Sequence, residues 1–157
     1  VPEAKKQGIS LAIHPDDPPW DIFGLPRIIT GKASIKKLLT LVDEKENGLT
    51  FCTGSLGPDP ENNLVELAGE FAPRIHFAHL RNIQIKGYRK FTECGHCDPN
   101  GSLDLKAIIS ALKNNGFDGY IRPDHGRAIW GEKGRPGYWL YDRALGACYL
   151  YGLWQAT

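Results

Sequence analysis

A pattern repeated four times constrains this chain most: a short apolar, β-prone run, then a stretch whose apolar residues recur at helical spacing. "GISLAIHP" at 8–15 is the first run, and the Pro-rich "PDDPPWDIFGLP" behind it cannot be helical. "SIKKLLTLVDE" then sets Ile35, Leu38, Leu39 and Val42 on one helix face, with Gly48 expected to stop that helix. "LTFCTG" opens a second unit, and Leu64, Leu67, Ala68 and Phe71 form its helical face. "RIHFAHLRN" opens a third, completed by Leu105, Ile108, Ile109 and Leu112 and stopped at Gly116. "YIRPDHG" and "WLYDRALGACYLYGLWQA" make the fourth.

Strands alternating with helices, without a linker or low-complexity tract, predict an α/β fold of parallel strands joined by right-handed crossovers. The polar residues favour a closed barrel over an open sheet. His14, Cys52, His79 and Asp124 each stand at or near the carboxyl end of a separate predicted strand, and a β/α barrel brings such ends to one face. A complete barrel takes ~250 residues, and 157 residues hold four units. The expectation is therefore one domain, 1–157, supplying the carboxyl-terminal half of a barrel whose amino-terminal half lies elsewhere.

Charge and hydropathy set the kind of partner. Nineteen basic residues against eighteen acidic ones, with no long run of either sign, argue against nucleic acid and anionic membranes. No stretch approaches the ~20 apolar residues of a membrane helix, and "VPEAKKQG" lacks a signal-peptide layout, so a cytoplasmic protein acting on a small molecule is expected. In that compartment Cys52, Cys94, Cys97 and Cys148 read as thiols, metal ligands or transient redox partners rather than a disulfide framework.

Two imidazoles, a thiolate and a carboxylate make a credible ligand set for a divalent first-row ion. Each residue also has a plainer role: Cys52 as a small buried hydrophobe, His14 as a hydrogen-bonded loop residue, Asp124 as a turn former. In "RIHFAHLRN" the alternation puts His79 and His76 on opposite faces, so only one of them can serve such a site. A rival signal is Cys94-Gly95-His96-Cys97, the spacing of thiol–disulfide oxidoreductases. A redox pair of that kind should open a helix directly after a strand, yet Pro99, Asn100 and Gly101 intervene before the helix near Asp104.

"LAIHPDDPPWDIFGLPRI", "LTFCTGSLG", "RIHFAHLRN" and "IRPDHGRAIWGEKGRPGYWLYDRALGACYLYGLWQA" resemble the corresponding stretches of the mannonate dehydratases, and the likeness runs along essentially the whole chain. The resemblance implies a metal-dependent β/α (TIM-type) barrel of the xylose isomerase-like kind. It implies a lyase of hexuronate (glucuronate) catabolism that removes water from D-mannonate to give 2-dehydro-3-deoxy-D-gluconate. By motif, His14, Cys52, His79 and Asp124 fall where the family binds Mn2+ or Fe2+, which selects His79 over His76. A sugar isomerase or epimerase on the same scaffold is the nearest alternative, and a thiol oxidoreductase through Cys94 and Cys97 a distant one. A homo-oligomer of the full-length protein is expected.

The chemistry requires more than a metal. Removing the C2 proton beside a carboxylate and expelling the C3 hydroxide needs stabilised negative charge, which a Lewis-acidic cation supplies, and proton transfer by general acid and base groups. The resemblance favours His125 and Tyr138 for the protons, with their roles unassigned; His125 could instead orient Asp124, and Tyr138 seal the loop. Arg81 and Asn82, directly after the third strand, and Arg127, in the last loop, are candidates for holding substrate. So is His96, a family-matching position of the "CGHC" loop, as is Glu93. Asp16 and Asp17 are hydroxyl acceptors or turn formers, and Trp20 and Trp130 are expected in loops over the same face.

Overall fold

The computed structural model describes residues 1–157. Its centre is a four-stranded parallel sheet in the order β1, β2, β3, β6, built from Leu11–Ile13, Asn47–Cys52, Ile75–His79 and Tyr120–Arg122. The helices returning the chain between these strands are α2 (Lys32–Leu41), α4 (Leu64–Phe71) and α5 (Leu105–Asn114), and α6 (Leu140–Ala156) follows the last strand. The α/β class and the parallel order are those the alternating pattern predicts. No helix is long and apolar enough to cross a membrane.

The three crossover helices begin where a side chain can satisfy free amides. The Asn63 side-chain amide oxygen accepts from Glu66 N, and the Asp104 carboxylate accepts from Ala107 N. Ser34 reaches back from the first turn of α2 to accept from Thr30 N and Gly31 N. The apolar faces then go to one core: Ile35 and Leu39 of α2, all four predicted residues of α4 and all four of α5 are buried with Leu49, Phe51, Ile75 and Ala78 of the sheet. Removing a large aliphatic or aromatic side chain from water contributes ~1.5–3 kcal/mol each, so this cluster of 20 residues anchors the strands whose ends carry the site.

Three differences from the sequence expectations stand out. Gly48 does not stop α2, which ends at Leu41; it lies inside β2, where a Cβ would come within 2.2 Å of the His76 ring. Two short helices, α1 (Pro2–Lys6) and α3 (Thr53–Leu56), add to the pattern. The stretch between β3 and α5, expected as a long loop, contains an antiparallel hairpin of β4 (Ile83–Gly87) and β5 (Lys90–Glu93). Its signal was present: "IQIKGYRKFTE" alternates apolar and polar residues on either side of a glycine.

The central sheet has two unpaired edges, β1 and β6. Leu11, Ile13 and Tyr120 on those strands are exposed. Beside β6 lies an open groove of about 620 Å³ whose lining includes Phe117, Tyr120, Ile121, Leu150, Tyr151 and Trp154.

Candidate metal centre

The parallel register decides what can meet at the carboxyl end of the sheet. Cys52, the last residue of β2, stands opposite His79, the last residue of β3, and His79 stands opposite Arg122 of β6. His14 follows β1 directly, and Asp124 comes two residues after β6. The ligand atoms of His14, Cys52 and His79 all lie within 4.8 Å of one another. Asp124 adjoins them: its Oδ1 is 3.3 Å from His79 Nδ1, and its Oδ2 is 3.7 Å from Cys52 Sγ. The Asp124 backbone is left-handed, at φ 66°, a conformation aspartate tolerates better than most residues.

His79 is the residue that most asks for a ligand. It is buried, and neither ring nitrogen has a hydrogen-bond partner, an arrangement that costs ~1–3 kcal/mol per orphaned group unless something else satisfies it. Phe77 packs edge-on against its ring at 4.6 Å and His14 at 5.2 Å, so no room is left for the ring to turn away. His14 Nδ1 is 2.7 Å from the carbonyl oxygen of Pro15; a carbonyl only accepts, so Nδ1 carries the proton and Nε2 keeps its lone pair. Ser55 Oγ donates to Cys52 Sγ at 3.1 Å. Two imidazoles, a thiol and a carboxylate fit a divalent first-row ion.

Electrostatics keep the Asp124 carboxylate of this group charged. Burial would raise the Asp124 carboxyl pKa, but the close His79 imidazole and the charges of His125 and Arg81 win, and the pKa falls well below the carboxylate range. For His79, burial acts downward and is outweighed by Asp124 and Cys52, for a net rise. His76 points the other way, half-buried, with Nε2 2.8 Å from Lys45 O.

Arg81 is the hub beside the cluster. Its buried guanidinium pairs with Asp17 through Nη2, lies 3.6 Å from Asp124 Oδ2 through Nε, and 3.6 Å from Glu93 Oε2 through Nη1. Burial works against its charge, but the charges of Cys52 and Asp17 raise its pKa beyond the ordinary value. Gly54 makes room for it: a Cβ there would stand 1.8 Å from Arg81 Nε. His125, half-exposed, presents Nδ1 to Glu93 Oε2 at 3.0 Å and to Arg81 Nη1 at 3.1 Å, while Nε2 is 3.9 Å from Asp124 Oδ1.

Other candidates are committed elsewhere. Buried Asn82 donates to the carbonyl oxygens of Gly95 and His96 and accepts from Ile83 N, which pins the "CGHC" loop rather than presenting an amide to solvent. His96 is buried with Nε2 2.8 Å from Leu80 O and 3.1 Å from Pro123 O, so it ties β3 and the end of β6 together instead of reaching for a substrate. Arg127 grips Asp142 at the start of α6 with Nε, Nη2 and its backbone amide. Tyr138 is 63% exposed, and its contact is with the Arg135 guanidinium; its backbone pairs with Gly126, next to His125. Asp16 accepts from Ile28 N and Ile29 N and so shapes the loop. Trp20 packs on Phe91 of the hairpin, whereas Trp130 is exposed against Tyr141.

The "CGHC" cysteines do not form a reactive pair. Cys94 and Cys97 are free thiols, one buried and one exposed, and burial followed by the Asp98 charge pushes Cys94 upward, the opposite of an activated thiolate.

The sequence pattern of the D-mannonate dehydratase (UxuA) family matches the chain over residues 1–157. The chain belongs to the mannonate dehydratase family. It is 56% identical over 158 residues to the mannonate dehydratase of Thermotoga petrophila and 52% identical over 157 residues to that of Enterococcus faecalis. These alignments cover 99% and 100% of this chain but 44% of each relative. The crystal structure of mannonate dehydratase from Streptococcus suis serotype2 superposes with a TM-score of 0.93 at 46% identity, covering 99% of this chain and 45% of that one. The chain therefore spans less than half the length of the family members it matches.

Proposed function

We propose that residues 1–157 are the carboxyl-terminal half of a single β/α barrel of the xylose isomerase-like kind, and that the complete barrel dehydrates D-mannonate to 2-dehydro-3-deoxy-D-gluconate. The observation that carries this reading is the convergence of His14, Cys52 and His79 at the carboxyl ends of three strands, in a chain whose full length matches the family. The unpaired edges of β1 and β6 and the apolar groove beside β6 suit a missing amino-terminal half that would pair with both. The full-length protein acts in the cytoplasm, on a small sugar acid, as a homo-oligomer.

His14, Cys52, His79 and Asp124 would hold the metal, Mn2+ or Fe2+, whose chemistry is that of a Lewis acid toward the substrate carboxylate or C2 hydroxyl. The chain supplies the rest. Asp124 stays ionised throughout the working pH range. His125 and Tyr138 are the proton-transfer pair: one takes the C2 proton and the other protonates the departing C3 hydroxyl. Tyr138 joins from the loop that runs beside Gly126, its hydroxyl free of other partners in the exposed strand-end region. Arg81 places one positive charge against Asp17, Asp124 and Glu93 at the site wall, which offsets their repulsion toward an anionic substrate.

The test is loss of water from D-mannonate by the full-length protein with added Mn2+ or Fe2+, for wild type, Cys52→Ser and Tyr138→Phe. Chelation should abolish turnover, Cys52→Ser should lower it by more than about 100-fold, and Tyr138→Phe by about 10²- to 10⁴-fold. Full activity in both variants overturns the site.

A further inference from the structure

The hairpin β4–β5, which the alternating helical pattern did not anticipate, ends on Glu93, and Glu93 has a carboxylate oxygen 3.0 Å from His125 Nδ1. We propose that Glu93 is a positioning residue for His125, fixing which ring nitrogen carries the proton and turning the other toward the metal cluster; this rests on the reading of His125 as a proton-transfer group. Three observations support it. The hairpin is tied down at its open end, with Cys94 N donating to Asn82 O beside Glu93, and along β4 by Ser102 Oγ accepting from Ile85 N, so the carboxylate is presented from a fixed strand. Trp20 packs edge-on against Phe91, two residues before Glu93, which braces the same strand from the opposite loop. The imidazole is oriented so that Nε2 lies on the side of Asp124, 3.9 Å from Oδ1.

Two groups compete for the same ring nitrogen. Arg81 Nη1 lies 3.1 Å from Nδ1, but a guanidinium only donates, so a nitrogen that accepts from it can hold no proton. Glu93 only accepts, so Nδ1 must carry the proton to bond with it. Nδ1 cannot satisfy both at once. Arg81 already has carboxylate acceptors in Asp17 and Asp124, whereas His125 is the nearest polar partner of Glu93. The carboxylate therefore takes the nitrogen: Nδ1–H donates to Glu93, and Nε2 faces the cluster with its lone pair exposed, ready to accept a proton. Remove Glu93 and Arg81 is left as the sole partner. The ring then inverts to the Nε2–H form, in which the nitrogen facing the cluster has no lone pair to offer.

The experiment labels the protein with 15N-histidine and reads the tautomer of each ring at mildly alkaline pH from two-bond proton–nitrogen correlations, with His125→Gln assigning one of the five histidines. Wild type should show the Nδ1–H form at His125. Glu93→Ala, and Glu93→Asp, which keeps the charge but withdraws it by one methylene, should both convert it to Nε2–H; Glu93→Gln, whose amide oxygen still accepts, should retain the wild-type form. An unchanged His125 tautomer in folded Glu93→Ala or Glu93→Asp overturns the proposal. In the full-length enzyme, Glu93→Ala should lower kcat by about 10- to 100-fold with KM moving less than about 2-fold, and Glu93→Gln should recover most of it. A tautomer change in a protein that fails to dehydrate mannonate supports the positioning and overturns only the reaction assigned to the barrel; dehydration that survives His125→Gln overturns the proton-transfer role of His125 and with it the catalytic consequence of the positioning.

Discussion

His79 and His96 are both buried imidazoles with a cysteine nearby, one at the end of β3 and the other inside the "CGHC" loop, and their surroundings give them opposite work. His79 has two ring nitrogens without a partner and sits among Cys52, Asp124 and His14. His96 spends Nε2 on the carbonyl oxygens of Leu80 and Pro123 and leaves Nδ1 alone without a partner, and burial lowers its pKa, so it is held neutral. A buried polar group left open points to something that binds it; one closed onto backbone carbonyls is a fastener. The lesson is that residue type and burial do not separate a ligand from a brace, whereas the balance of donors and acceptors does.

That contrast is sharpest in metal binding. Cys52→Ala or His79→Ala should weaken Mn2+ binding by more than about 100-fold, exceeding the ~10–100-fold typical of residues that merely orient ligands. His96→Ala should leave it within about 3-fold. Isothermal titration of the metal-stripped protein reads both, and equal losses in His79→Ala and His96→Ala would erase the distinction.

Stability should reverse the order. His96→Ala strands two buried carbonyl oxygens and opens a cavity between β3, the end of β6 and α6, so it should cost about 2–4 kcal/mol in denaturant unfolding. His79→Ala in the metal-free protein removes two orphaned nitrogens and should cost less, about 1–2 kcal/mol, from lost packing with Phe77 and His14. Gly146→Ala tests the brace from its other side: a Cβ there would meet His96 Cε1 and Nδ1 at 2.5 Å, and overpacking of this kind costs about 1–3 kcal/mol. Metal affinity should be unmoved by that substitution.

Much of this was legible in the sequence, and the exceptions have physical causes. The helical faces of α4 and α5 and the four strands follow from periodicity because apolar spacing directly states which side must leave water. His14, Cys52, His79 and Asp124 could be placed at strand ends because a parallel sheet aligns those ends, and the parity of β3 separated His79 from His76. Asn82, His96 and Arg127 resemble substrate contacts in the sequence because polar residues near strand ends look alike there. Only their partners, the backbone carbonyls of Gly95, Leu80 and Pro123 and the Asp142 carboxylate, reveal them as fasteners. Those partners lie 13 to 27 residues away, so no local pattern announces them. The hairpin that carries Glu93 was missed for a different reason. Its residues alternate as a hairpin's do, but it lies outside the strand-then-helix rhythm of the rest of the chain.

The smallest expected effect concerns the last of these fasteners. Arg127 and Asp142 make a forked ion pair in which Asp142 is nearly buried and Arg127 is about one-third exposed. Burial acts to raise the Asp142 carboxyl pKa, but the Arg127 hydrogen bonds and charge outweigh it, so the group titrates below its ordinary value. A carboxyl depressed by folding contributes stability that is present above its unfolded value, ~3.9, and is lost as pH falls through the folded one. Because the arginine side is in contact with water, the contribution is about 1 kcal/mol. Asp142→Asn should therefore lower stability by that amount at neutral pH and remove part of the loss seen below about pH 4, while the Mn2+ affinity of the His79 cluster stays at its wild-type value. Denaturant unfolding followed from pH 7 to pH 3 measures the first two, and an acid limb that keeps its full slope in Asp142→Asn would assign the acid sensitivity to Asp124 and the cluster instead of to the brace at the foot of α6.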